Sequence, residues 1–324
     1  MSDSGTGTRS PQEQEALDRL RQDIADAERT GRPIFVPDLA AIGLRPPAGG
    51  AESLDGATTI DYSEALESIC GVVDDSQGVE TYDGTLGVTQ QFVADHQRQV
   101  ACVVWNDDLA DHFANPGNVA GAEFGSGTMV SDDVFLTCGH LFDQTGGGWV
   151  RPVDDATGTT ITPQQIATHM HLRFDYQDQP DGTPRPTTDV PILELLEYRL
   201  GGIDMAVCRV PAGTGATFGR TAVSSVDAAV GDMIAIIGHP LGVPKRIEAG
   251  PATELAGNAI RYDDIDTQGG NSGSGIVSAV SGAVVGVHTN GGCTTSGTGA
   301  NSGQRIGAIL DVSPVVRDIA LGGT

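Results

Sequence analysis

Residues 266–274 are Asp-Thr-Gln-Gly-Gly-Asn-Ser-Gly-Ser, and this stretch says most about the fold and function of the chain. Gly269 and Gly270 precede Ser272 and Gly273 follows it, so the backbone is able to turn sharply around the serine. A turn of this kind lets the N–H groups of Gly270 and Ser272 point at one spot, where an oxyanion would be stabilised. Serines flanked by glycine are common in loops, so the stretch needs support from elsewhere in the chain.

Two further stretches supply a base and an acid for Ser272. Residues 134–140, Val-Phe-Leu-Thr-Cys-Gly-His, predict an apolar strand that ends in small residues and delivers His140. Residues 202–210, Gly-Ile-Asp-Met-Ala-Val-Cys-Arg-Val, place Asp204 at the mouth of a buried strand, where an ionised carboxylate needs a partner. A serine hydroxyl becomes an effective nucleophile when a base takes its proton and an acid orients that base.

Taken together, the three stretches resemble the trypsin-like (chymotrypsin-fold) serine peptidases. The residues occur in that family's order, His, Asp and Ser, and the resemblance covers about residues 95–321. Gly-Ser-Gly-Thr at 125–128 and Gly-His-Pro-Leu-Gly at 238–242 also match the family's pattern. The resemblance predicts a serine endopeptidase acting on protein or peptide substrates, and a non-catalytic binding protein on the same fold is the alternative.

The resemblance also implies a role for each site residue. His140 is the general base toward Ser272 and then the general acid toward the leaving amine, while Asp204 holds the imidazole. The N–H groups of Gly270 and Ser272 form the oxyanion hole. This chemistry requires no metal and no organic cofactor.

Short runs of β-branched residues recur from about residue 70 onward, separated by turns rich in Gly, Asp, Asn and Pro. Many short strands of this kind predict an all-β protein, either a barrel or a sandwich. The family resemblance implies two six-stranded antiparallel β-barrels. Ser313 followed by Pro314 predicts the N-cap and first position of a short C-terminal helix.

The N-terminal part of the chain differs in character. Helical spacing is confined to Pro11–Thr30, and residues 31–68 are rich in Pro, Gly and Ala. We therefore expect residues 1–70 to be a partly disordered leader or pro-segment, followed by the peptidase domain at 71–324. Asn271 stands where trypsin has the Asp that pairs with the freed N-terminus, so that mode of activation is not expected here.

Specificity is predicted from the strand after the nucleophile. Residues 284–292, Val-Val-Gly-Val-His-Thr-Asn-Gly-Gly, look most similar to the bacterial glutamyl endopeptidase (V8-like) branch of the family. In that branch, the positions of Thr267 and His288 bind the carboxylate of the residue before the cut, and both side chains are able to donate to a carboxylate. Thr289 and Gly291 are further candidates for substrate binding. We therefore expect cleavage after Glu.

Asp266 indicates a different specificity. It lies six residues before Ser272, where trypsin-type enzymes carry the acid that binds Arg or Lys. An unpaired carboxylate at the floor of the pocket would repel an acidic side chain. Cleavage after Arg or Lys is therefore the alternative that the sequence leaves open.

Composition narrows the choice of partners and location. The chain has 18 basic and 43 acidic residues in 324, a net charge of −25, which makes nucleic acid and anionic membrane unfavourable partners. The N-terminus lacks the features of a secretory signal, so we expect a cytoplasmic protein, with export by a non-standard route as the alternative. Nothing in the sequence indicates the oligomeric state.

Five cysteines are scattered through the chain without any spacing typical of a metal site. Cys102, Cys138 and Cys208 lie inside apolar runs. We expect free buried thiols, with one or two disulfides as the alternative.

Overall fold

The computed structural model describes residues 34–35, 69–71, 73–144, 149–294 and 296–322. The helix expected over Pro11–Thr30 lies outside the described residues, as does most of the leader expected at 1–70. The domain boundary at residue 70 and the removal of the leader stay predictions. No helix within the described residues has both the length and the apolar character needed to cross a membrane.

One antiparallel sheet is built from the first half of the domain. Its seven strands, in spatial order, are β8 (Thr188–Pro191), β7 (Met170–Phe174), β4 (Val100–Trp105), β5 (Glu123–Met129), β6 (Val134–Thr137), β10 (Met205–Arg209) and β9 (Glu194–Arg199). Every residue of β4 is buried, whereas buried and half-buried residues alternate along β7. That alternation is typical of a strand with one face on the core.

A second antiparallel sheet follows. Its eight strands, in spatial order, are β13 (Glu254–Ala256), β14 (Ala259–Tyr262), β17 (Asn301–Arg305), β16 (Val284–Asn290), β15 (Gly275–Ser278), β11 (Met233–Gly238), β12 (Arg246–Pro251) and β3 (Gln77–Gly78). A separate pair joins β1 (Ile34–Phe35) to β2 (Val73–Asp74). Part of the segment expected to be a leader therefore pairs with the start of the domain.

Helices are short and lie between strands or at the C-terminus. They are α1 (Gln90–His96), α2 (Leu109–His112), α3 (Pro163–Thr168), α4 (Thr214–Phe218), α5 (Ile306–Val312) and α6 (Pro314–Ala320). Helix α6 begins as the sequence predicts, because the Ser313 hydroxyl accepts a hydrogen bond from the N–H of Val316 at 3.0 Å. Helix α5, directly before it, was not expected.

The largest hydrophobic cluster among the described residues draws on both sheets. It contains Val103, Phe135 and Val207 from the first sheet, and Val277 and Val287 from the second. The prediction of an all-β fold with two sheets and a short C-terminal helix is confirmed. Within the described residues the sheets have seven and eight strands where six each were expected, since short edge strands such as β3 and β13 extend the second sheet.

A disulfide joins Cys70 to Cys293, which are 223 residues apart in the chain. Cys102, Cys138 and Cys208 are free and buried, as expected. The expectation of free thiols is therefore wrong for Cys70 and Cys293. Nothing in their sequence spacing indicates the bridge, because the fold alone brings the start of the domain beside the segment after β16.

Candidate active site

His140 and Asp204 meet where two neighbouring interior strands of the first sheet, β6 and β10, end and begin. Strand β6 ends at Thr137 and β10 begins at Met205, and the two strands are antiparallel with Ala206 opposite Thr137. This pairing sets the residue before β10 beside the turn after β6. The Nδ1 atom of His140 lies 2.7 Å from Oδ2 of Asp204.

The carboxylate of Asp204 is held by more than the imidazole. Its Oδ1 atom accepts hydrogen bonds from the N–H groups of Gly139 at 2.6 Å and His140 at 2.9 Å. Both carboxylate oxygens are therefore engaged, and the acid cannot rotate without losing these bonds. A fixed carboxylate at Nδ1 sets the orientation of the ring and leaves Nε2 for chemistry.

Charge at His140 is set by competing effects. Burial disfavours the positive ring, yet the pKa of His140 is raised well above its usual value, because Cys138 and Asp204 both favour the protonated form. Burial raises the pKa of the Cys138 thiol, so this thiol is neutral at neutral pH. Of these two neighbours, Asp204 makes the shorter contact with the ring, at 2.7 Å against 3.6 Å for Cys138.

Ser272 lies in the turn that leads into β15 of the second sheet, and this turn packs against the end of β6. Its carbonyl accepts from the N–H of Ser126 at 2.9 Å, and the N–H of Gly273 donates to the carbonyl of His288 at 2.8 Å. Gly273 has φ +91°, and a Cβ there would lie 2.0 Å from Oγ1 of Thr137. Only glycine permits this approach, which brings the serine turn against the strand that carries His140.

The side chains of His140 and Ser272 are not joined by a hydrogen bond in the described part of the chain. Instead, Nε2 of His140 lies 3.6 Å from Sγ of Cys138. Hydrogen bonds between a nucleophile and its base are often long without substrate and tighten in the complex.

The backbone around Gly270 leaves both N–H groups expected in the oxyanion hole without an acceptor among the described residues. The Gly269 carbonyl accepts from the N–H of Leu241 at 2.5 Å, and the Gly270 carbonyl accepts from Oγ of Ser126 at 2.7 Å. A trans peptide directs its N–H opposite to its carbonyl, so the N–H of Gly270 points away from Leu241. Among the described residues, neither this N–H nor that of Ser272 donates to another group.

Residues 238–242, which matched the family's pattern, support that turn. Gly270 has φ +103°, and a Cβ there would lie 2.3 Å from the carbonyl oxygen of His239. His239 is buried against the ring of Tyr176, and burial lowers its pKa to about 3. The residues after β11 therefore pack directly against the glycine turn and leave no room for a side chain at residue 270.

Thr267 and His288 are both buried beside the serine turn. Thr267 is 1% exposed, and its Oγ1 atom has no hydrogen-bond partner. Burial lowers the pKa of His288 to about 3, so its ring is neutral at neutral pH. Its Nδ1 atom lies 2.5 Å from the hydroxyl of Tyr262, a contact that the sequence did not indicate.

The other two candidates for substrate binding differ in exposure. Thr289 is buried, and its hydroxyl donates to Oδ1 of Asn290 at 2.8 Å. Gly291 is exposed at the end of β16.

Asp266 is buried and already bonded to the start of the domain. Its carboxylate accepts from the N–H of Cys70 at 2.7 Å and from that of Asp75 at 3.2 Å. Burial, with a contribution from Asp74, raises its pKa to about 7. The alternative specificity needs an unpaired carboxylate at this position, and here the carboxylate has two backbone donors.

One family of known proteins matches this chain. A family model described as trypsin-like peptidase domain matches residues 125–287, half of the chain's length, and this range contains His140, Asp204 and Ser272. A search of curated proteins found no match.

Three solved structures are similar to the chain. A serine endoprotease from Yersinia pestis is 16% identical, with 70% of this chain and 66% of that chain covered and a TM-score of 0.46. A Glu endopeptidase is 20% identical, with coverages of 66% and 87% and a TM-score of 0.40. The HtrA-type protease AlgW is 18% identical, with coverages of 72% and 64% and a TM-score of 0.44. The chain thus spans slightly less than two thirds of the Yersinia and AlgW chains.

Proposed function

We propose, since the chain belongs to the family of trypsin-like peptidase domains, that it is a serine endopeptidase with His140, Asp204 and Ser272 as its catalytic residues. The observation that carries this proposal is the pair of Asp204 and His140, whose Oδ2 and Nδ1 atoms lie 2.7 Å apart at the end of β6. The glycine-flanked turn of Ser272, which leads into the second sheet, packs against the end of the same strand.

The proposed reaction proceeds in two halves. Ser272 Oγ attacks the carbonyl carbon of the substrate while its proton passes to Nε2 of His140, and Asp204 stabilises the resulting imidazolium. The oxyanion is bound by the N–H groups of Gly270 and Ser272, and loss of one such donor typically lowers the rate about 100- to 1,000-fold. The C–N bond then breaks as His140 returns the proton to the leaving amine. Water repeats the sequence and releases the acyl group from the serine.

We propose further that the enzyme cuts after Glu. A buried hydroxyl without a partner, as at Thr267, is costly unless a ligand supplies the missing bond. When the Tyr262 hydroxyl donates to Nδ1 of His288, the ring proton resides on Nε2, which is then a donor for a substrate carboxylate. Asp266 has two backbone donors, which argues against its use for Arg or Lys.

Replacing Thr267 by valine tests this specificity. The change keeps the shape of the side chain and removes the hydroxyl alone. We expect kcat/KM for substrates with Glu before the cut to fall about 10- to 100-fold, the value of one hydrogen bond to a charged group. The preference for Glu over Gln should fall with it, while the melting temperature should not drop, because the hydroxyl has no partner to lose. A peptide library varied at that position provides the measurement.

Thr221→Val is the matched control. Thr221 is another buried threonine whose hydroxyl has no partner, and it lies outside the serine turn. This variant should leave the Glu preference intact. If the wild-type enzyme instead cuts mainly after Arg or Lys, Glu specificity is wrong and Asp266 becomes the residue to test.

We also propose that the protein works in an oxidising compartment, which corresponds to the exported alternative rather than to the cytoplasm. The bridge between Cys70 and Cys293 supports this location, since disulfides persist mainly where thiols are not kept reduced.

Without reductant, iodoacetamide should label no cysteine of the native protein and three after denaturation, because Cys102, Cys138 and Cys208 are buried and free. Labelling of all five cysteines in unreduced, denatured protein purified under oxidising conditions would contradict the bridge.

A further inference from the structure

Three carboxylates come together near the residues that precede the serine turn. Asp74 belongs to β2, Glu248 to β12, and Asp266 precedes the serine turn. They are 3%, 4% and 6% exposed, and one oxygen of each lies within 4.8 Å of one oxygen of the others. Burying several carboxylates together is unfavourable unless a positive charge or a set of donors compensates.

Donors compensate two of the three acids. Asp74 accepts from the N–H of Ser76 at 3.0 Å and from Nε2 of Gln268 at 2.9 Å. The carboxylate of Asp266 has its two backbone donors from the segment around the disulfide. Both oxygens of Glu248 are buried and make no hydrogen bond, and the Oε1 atom of Gln268 also has none.

Acidic side chains outnumber basic ones around Glu248. Its acidic neighbours are Asp75, Asp74 and Asp266, and its basic neighbour is Arg246. The Arg246 guanidinium donates to the hydroxyl and the carbonyl of Ser76. The cluster therefore contains more acidic than basic side chains, and neither oxygen of Glu248 has a hydrogen-bond donor among the described residues.

We propose that this cluster binds a hard divalent cation, calcium by its size, through oxygens of Asp74, Glu248 and Asp266. Calcium takes oxygen ligands at about 2.3–2.6 Å, so two ligands on opposite sides of the ion lie about 4.6–5.2 Å apart. The spread of the three carboxylates fits that limit. The side chains named are all oxygen donors, which suits calcium and not a thiolate- or imidazole-seeking metal.

Such an ion would join three parts of the chain. Asp74 follows the disulfide at Cys70, Glu248 lies in the second sheet, and Asp266 and Gln268 flank Thr267. The cation would therefore link the segment around Thr267 to the start of the domain. Calcium binding does not depend on hydrolysis, so this proposal is tested independently of the proposed function.

The test is calcium binding by the full chain after treatment with EDTA. Equilibrium dialysis with radioactive calcium should give one ion per chain, and the melting temperature should rise with calcium more than with an equal concentration of magnesium. Glu248→Gln should weaken binding at least about tenfold and remove the thermal shift, since calcium affinity follows the number of charged ligands. Glu254→Gln, the same change at an exposed glutamate of β13, should leave both unchanged.

Glu248→Gln removes like-charge repulsion, so we expect this variant to fold. Its melting curve measures the folded fraction directly and therefore distinguishes misfolding from lost calcium binding. Asp74→Asn provides a second ligand variant with the same expected loss. Absence of binding by the wild-type chain at about 10 mM calcium, above the range of weak extracellular sites, would overturn the proposal. So would equal binding by wild type and Glu248→Gln.

Discussion

Replacing Ser272 by alanine is expected to lower kcat about a million-fold while the protein folds normally. The variant loses the oxygen that forms the acyl-enzyme, and effects of about this size accompany loss of a nucleophile in a catalytic triad. The Ser272 side chain makes no hydrogen bond in the described structure, so its loss should cost little stability. Initial rates on a peptide with Glu before the cut, alongside melting curves, provide the measurement.

A fluorophosphonate probe separates catalysis from mere binding. It should label the wild-type protein at Ser272, as located by mass spectrometry, and leave the alanine variant unlabelled. Ser281→Ala, at an exposed serine in the turn between β15 and β16, serves as the control and should keep full activity and labelling. An unlabelled wild-type protein with no turnover would identify the chain as a non-catalytic binding protein on a peptidase fold.

Asp204→Asn is expected to lower kcat about 10,000-fold. The Oδ1 atom of Asp204 accepts two backbone N–H groups, so the asparagine oxygen should stay there and its NH₂ group should face Nδ1 of His140. Nδ1 must then accept a hydrogen bond, which puts the ring proton on Nε2. In that tautomer the imidazole cannot take the proton of Ser272.

The pH profile distinguishes this role from a structural one. The base must be neutral, so activity is present above the pKa of His140 and is lost as pH falls through it. That pKa is raised in the native protein, and the carboxylate of Asp204 contributes to the rise. The acid limb of kcat/KM should therefore move to lower pH in Asp204→Asn.

Asp132→Asn is the matched control for this variant. Asp132 also accepts two backbone N–H groups, those of Gly213 and Ala216, but it contacts no histidine. Its substitution should change stability and leave the pH profile in place. If Asp204→Asn keeps the wild-type profile and rate, the assignment of Asp204 as the orienting acid is wrong.

The sequence predicted those features that local patterns encode. His140 and Asp204 each adjoin an apolar strand, Ser272 lies among glycines, and Ser313 caps a helix that starts with proline. In each case the pattern occupies fewer than ten consecutive residues. The two-sheet fold followed from many such short strands.

Long-range contacts account for what could not be predicted. The bonds from Asp266 to Cys70 and Asp75 span 196 and 191 residues, and the partner of Cys70 is more distant still. Glu248 occupies one position in an otherwise ordinary strand, and only the packing of β2 and the serine turn against it makes its burial apparent. For the same reason, the contact of Leu241 with Gly269 is not readable from residues 238–242.

The bridge between Cys70 and Cys293 closes a covalent ring that contains His140, Asp204 and Ser272. An endopeptidase is exposed to its own activity, and the segments between the strands of both sheets lie inside this ring, except for most of the segment between β16 and β17. One cut anywhere from residue 71 to residue 292 opens the ring but leaves a single molecule, since the two pieces remain joined through sulfur. Self-digested enzyme would therefore migrate as intact protein on a gel without reductant and separate into fragments only when the bridge is reduced.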